Sequence, residues 1–144
     1  MTLSTFGAIM GYAGDIVKQT EEAYRRLIPE AKNPALKQVL QDLAGEEKKN
    51  HSLMERTRRE NVTEMILEPI TGLHQEEYEV DLRGMAQKDD SDLVTVSLIL
   101  EERARRFFSD ASAKIPLPEV ARTFRRLCQK KEENVAKLRS LGLH

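Results

Sequence analysis

The chain has 144 residues, one cysteine, no tryptophan and a formal net charge of −1. That length fits one domain with a real core, and 33% charged against 5% aromatic residues is the make-up of a helical protein, not of a β-sandwich or a disordered tail. One cysteine excludes an internal disulfide and a cysteine-rich zinc site, the balanced charge argues against a general nucleic-acid binder, and no apolar run reaches the ~18 residues of a membrane span.

Apolar spacing predicts four helices. The first runs from about Thr5 to Leu27, with a stripe of Phe6, Ile9, Ala13, Ile16, Val17, Tyr24 and Leu27, a gap at Thr20, and Pro29 as its stop. The second opens at Asn33-Pro34, an N-cap followed by proline at the first helical position. Its stripe is Leu36, Val39, Leu40, Leu43, then Glu47, Asn50 and Met54, and it fades near Asn61. The third begins near Asp90-Ser91-Asp92, which supply capping side chains, and passes through Leu93, Val96, Leu100, Ala104, Phe107, Phe108 and Ala111 to Ile115. The fourth starts at Pro118 and carries Val120, Phe124, Leu127, Val135, Leu138 and Leu141.

The connections are short, long, short. This predicts a single all-α domain, a four-helix bundle of two antiparallel hairpins, residues 5–60 and 91–141, joined by a long crossover over residues 61–90. A short crossover helix is expected around His74 to Gln87. The crossover should cover a bundle face or build a dimer contact. The hairpins align at an offset of 84 residues: Pro34 with Pro118, Leu40 with Phe124, Leu43 with Leu127, Asn50 with Asn134, Tyr24 with Phe108. Such pairing points to internal duplication.

The inner stripes carry polar residues where a plain bundle carries leucine. These are Glu47 and Asn50 on the second helix, Glu101 on the third, and Lys131 and Asn134 on the fourth. Spacing three keeps each pair on one face. At the offset of 84, Glu47 aligns with Lys131 and Val17 with Glu101, so all six positions are expected at one level of the bundle.

The stretches AKNPALKQVLQDLAGEEKKN and LILEERARRFFSDASAKIPLPEVARTFRRLCQKKEEN resemble the ferritin-like superfamily, specifically its rubrerythrin-type branch. The resemblance covers both hairpins but not the crossover. It implies a ferritin-like bundle descended from a di-iron protein that handled oxygen or peroxide. In that family two helices each give a glutamate, and the other two each give a Glu-x-x-His pair. Carried over by position, the ligand sites here are Val17, Glu47, Asn50, Glu101, Lys131 and Asn134. Only Glu47 and Glu101 keep the ligand residue type. Lys131 counts hardest against metal, because an ammonium repels cations.

Three readings follow. The first is a non-redox structural or partner-binding protein, without cofactor, in which Lys131, the glutamates and the asparagines form a polar cluster in place of the metals. The family habit of dimerising and the apolar ILEPITGL stretch motivate a homodimer, with a further protein partner unidentified. The second keeps iron on a shifted set, Glu47, His51 and Glu101, with Glu133 as a further candidate, and an oxidoreductase activity. Spacing four also suits two ligands on one face. The third is a binder of small acidic ligands in the vacated cavity, read by Lys131. The N-terminus carries no secretory pattern, so the expected compartment is the cytoplasm, with no nucleic-acid or membrane partner.

Other signals read as ordinary. The arginine pairs, with Arg103 and Arg122, are expected on solvated faces beside Glu21, Glu22, Glu55, Glu60, Glu101 and Glu102. Cys128 is expected at the core boundary, with no base placed beside it. Gly7, Gly11 and Gly14 mark either a close contact or a frayed start of the first helix. No phosphate loop or nucleophile triad pattern is present.

Overall fold

Helix α1, Phe6–Leu27, is capped by Thr5, whose hydroxyl accepts from the Ala8 amide. A 3-10 turn at Ile28–Glu30 holds Pro29 and ends it. Helix α2, Pro34–Glu60, begins where the Asn33 side chain accepts from the Ala35 and Leu36 amides. Helix α3, Asp90–Lys114, starts at the expected Asp90-Ser91-Asp92 run. Asp89 is the N-cap and forms a capping box with Asp92. Asp90 is thereby free to reach the α1–α2 turn, where it accepts from the amides of Lys32 and Asn33 at 2.9 and 3.0 Å. Helix α4, Pro118–Ser140, starts with proline at its first position and stops before Gly142, whose positive φ no β-carbon obstructs. These elements come from a computed structural model, which describes residues 2–61 and 70–143.

The four helices form two hairpins, α1 with α2 and α3 with α4. Tyr12 stacks edge-on to Phe107 and Thr20 meets Arg103, so α1 and α3 run antiparallel. Glu46 meets Asn134 and Asp42 lies 4.0 Å from Lys137, so α2 and α4 do as well. The crossover therefore travels the length of the bundle, from the end of α2 to the start of α3. It follows the α1–α3 face. Ile70 donates to Ser4, Leu3 donates to Leu73, and Gly72 between them takes φ +86°, the left-handed region that glycine tolerates.

The expected helix from His74 to Gln87 does not form. Only Gln75–Tyr78 makes a 3-10 turn. The carbonyls that would build a helix are taken by bundle side chains. Tyr12 donates to Gln75 O at 3.1 Å, Arg106 to Glu77 O at 2.7 Å, and Arg103 to Tyr78 O at 3.4 Å. Tyr78 itself is buried, packs edge-on to Phe107, and donates to Asp110 at 2.6 Å. The first half of the ILEPITGL stretch expected at a dimer contact lies outside the described residues; in its second half, Ile70 and Leu73 are buried in this chain's own core.

The core is in two parts. One, around Phe6, Tyr12, Val17, Met54, Phe107 and Phe124, lies toward the start of α1. The other, around Tyr24, Leu36, Leu40, Leu93, Leu100 and Leu138, lies toward the start of α2. No helix among the described residues is long and apolar enough to cross a membrane.

Candidate functional site

Between the two apolar cores lies a layer of buried polar side chains. Leu43 and Met54 fix the inner face of α2, and the helical period then turns Glu47 and Asn50 inward between them. The same logic brings in Glu101 between Ser97 and Ala104, and Lys131 and Asn134 between Leu127 and Leu138. Glu47, Glu101 and Lys131 are each at most 1% exposed.

The Lys131 ammonium donates to Glu47 Oε1 and to Glu101 Oε2, the latter at 3.1 Å. Asn134 Nδ2 donates to the other Glu101 oxygen at 2.7 Å and to Glu46 Oε1 at 3.0 Å. Asn50 Nδ2 donates to Glu47 Oε1 at 3.3 Å. Every polar position expected on α2, α3 and α4 thus joins one network. Val17 is buried too, but in the apolar core, and supplies no polar atom.

Burial pulls the Lys131 pKa down, but Glu101 and Glu47 outweigh it and hold the ammonium above the usual lysine range. Two buried carboxylates share that one cation. Glu47 is the weaker held. Burial pushes it up to about 7, with Glu101 adding to the shift and Lys131 opposing it. Two buried oxygens of the layer, Glu47 Oε2 and Tyr24 Oη, have no hydrogen bond of good geometry among the described residues. Burial and then the nearby Glu101 and Glu47 carboxylates raise the Tyr24 phenol well above its ordinary value.

This donor set does not fit a pair of divalent cations. Its central atom is an ammonium nitrogen, and amides stand where imidazoles would ligate. Nor does the shifted set assemble. His51 is half-exposed and its Nε2 lies 3.7 Å from Glu55, while the exposed Glu133 pairs with Lys130. The helical turn from Glu47 to His51 carries the imidazole past the core face toward solvent. Among the described residues no group of three or more His, Cys, Asp or Glu is placed to hold a metal ion.

Two residues of the neighbourhood escape sequence reasoning. Glu46 lies outside the stripe of α2 read from the sequence, yet it accepts from Asn134. Arg103, expected on a solvated face, is buried, because the crossover lies over it. Arg25 and Arg105 do pair locally, with Glu21 and Glu102. Cys128 is half-buried, and burial followed by the nearby Glu132 pushes its thiol pKa up, the reverse of what a nucleophile needs. No family model matches the chain, and neither a curated protein nor a solved structure matches it.

Proposed function

We propose that the chain is a ferritin-like bundle of the rubrerythrin type that has exchanged its di-iron centre for a lysine-centred ion cluster, and that it serves a non-redox structural or partner-binding role as a cytoplasmic homodimer. The observation that carries this reading is the Lys131 ammonium, buried between Glu47 and Glu101 at positions where the family resemblance puts ligands. The antiparallel hairpins, the full-length crossover and the meeting of Glu47 with its 84-residue offset partner also support it. A buried carboxylate with a pKa of about 7 has the right acidity for proton transfer at neutral pH. Here it faces only protein groups, and none of the three described grooves is lined by Glu47, Glu101 or Lys131.

Metal content tests the reading. Untagged protein, as purified and after anaerobic incubation with ferrous iron and desalting, should carry far less than one iron per chain. The variant V17E/N50H/K131E/N134H, which rebuilds the six-ligand pattern, should gain iron with a di-ferric absorption band. Iron in the wild type would refute the non-metal role. A folded quadruple variant that gains none would refute the ferritin-like assignment of these positions. Light scattering with size exclusion tests the dimer.

A further inference from the structure

Residues 79–83 of the crossover stand over the α1–α3 face and enclose a groove of about 620 Å³. Ala23 of α1 with Leu100 and Arg103 of α3 line it from the bundle side. A cavity of about 220 Å³ shares Ala23, Arg26, Leu82 and Arg83 with this groove and adds Leu27, Val96 and Gln87, so Ala23, Leu27, Leu82 and Val96 give that end an apolar wall. A cavity of about 250 Å³ shares Gln19, Glu79, Val80 and Arg103 with it and is polar, adding Tyr12, Asp15 and Gln75. Arg103 lines the central groove and its polar end.

Arg103 is 7% exposed and has no ion-pair partner among the described residues. Its two terminal nitrogens make only long contacts, 3.4 Å to Tyr78 O and 3.3 Å to Thr20 Oγ1, and its Nε has no partner at all. The contrast with Lys131 is direct: Lys131 hydrogen-bonds two carboxylates, whereas Arg103 touches none and feels Glu47 and Glu101 only at a distance. A guanidinium keeps its charge under any ordinary burial, so an unpaired one is costly and is relieved by an anion. The acids at the rim leave room for one. Asp81 is engaged by Arg83 at 2.9 Å, and Glu79 makes no ion pair with Arg103. With Arg26 and Arg83 counted against Glu79 and Asp81, Arg103 leaves the central groove one positive charge, and Asp15 of the adjoining polar cavity offsets it at that end.

We propose that this groove binds a small organic monocarboxylate with an apolar body, its carboxylate on Arg103 and its hydrocarbon over Ala23, Leu27, Leu82 and Val96. One planar guanidinium matches one planar carboxylate, and the rim acids repel a dianion such as phosphate. The site is distinct from the buried layer, whose lysine is already committed.

Hexanoate is the probe, titrated by calorimetry into the full chain, with hexanamide and inorganic phosphate as controls. Saturable hexanoate binding is expected, with both controls far weaker. In wild-type protein, an arginine Nε–H NMR signal that disappears in R103K should shift on titration. Arg103→Gln should weaken binding about ten- to hundredfold, the range for a charged hydrogen bond. Leu82→Glu, at a half-buried crossover position, should weaken it while leaving Arg103 in place. Equal binding of hexanamide, stronger binding of phosphate, or an unmoved Arg103 signal in wild-type protein would overturn the proposal, whether or not R103Q folds.

Discussion

Glu47 and Lys131 are separated by 84 residues, the same offset that aligns one hairpin with the other, and they hydrogen-bond across the bundle. In a molecule built from two like halves, only residues close to the axis relating them meet their own equivalents. A carboxylate facing a carboxylate there would repel without cations between them. A lysine in the second half neutralises one acid directly and reaches Glu101 as well.

Removing that lysine should be severe and pH-dependent. K131M leaves two buried carboxylates without their cation, and breaking a buried pair from one side costs about 3–5 kcal/mol. Urea unfolding at pH 8 should show this loss. At pH 5 the loss should shrink, because the freed carboxylates take up protons. An equal loss at both values would contradict the charge account.

The wild type should itself lose stability from about pH 5 to pH 8. Glu47 titrates near 7 in the folded chain against 4.5 when unfolded, so the folded state binds the extra proton. The contribution is fully present below the unfolded value and disappears as pH rises through 7, an effect of roughly 3 kcal/mol. Lys131 adds no slope there, since its pKa is raised and its contribution fades only above the ordinary lysine value. E47Q should flatten the curve and match or exceed wild-type stability at pH 8. A variant that kept the wild-type slope would remove Glu47 as its source.

The tether between the α1–α2 turn and α3 predicts a smaller effect. Asp90 accepts two amide hydrogens across the chain. D90A should lose about 1–2 kcal/mol, the net worth of hydrogen bonds to a charged group at a turn where water can replace them in part. Faster amide exchange at Lys32 and Asn33 would locate the loss.

The crossover hangs on Tyr78. Y78F removes only the bond to Asp110 and should cost about 1–2 kcal/mol, whereas Y78A empties a buried aromatic site and should cost about 3–5 kcal/mol. Hydrogen exchange should rise across residues 70–85 in Y78A before it rises in the helices. Uniform exchange would mean that the crossover is not a separate unit.

Cys128 should react with iodoacetamide more slowly than a free thiol at pH 7.5, because its raised pKa and partial burial both lower thiolate access. Faster alkylation would overturn this.

How much of this was legible follows from which residues obey the helical period. Leu43, Glu47, Asn50 and Met54 keep the stripe's phase, so the polar interruption announced itself before any coordinates. Asn33-Pro34 and Pro118 marked helix starts for the same local reason. Arg103 was illegible. It sits in ERARR, which reads as a solvated run, and it is buried only because a segment from elsewhere in the chain lies on it. The crossover obeys no period at all, and the carbonyls of Gln75, Glu77 and Tyr78 are claimed by side chains 25 or more residues away. Glu46 fails similarly: its partner Asn134 belongs to another helix.

The layer between the two cores also fixes alignment. Leucine-rich cores tolerate one helix sliding past another, since each apolar knob finds an equivalent hole a turn away. A slide of one turn, about 5.4 Å, would press Lys131 against leucines and strand Glu101 beside phenylalanine. The buried ions thus act as a registry pin, as a single polar residue does in a coiled coil. An all-apolar layer, E47L/N50L/E101L/K131M/N134L, is therefore expected to melt at a higher temperature yet give broadened or doubled amide NMR signals. One sharp set of peaks from that variant would show that the cores alone choose the alignment.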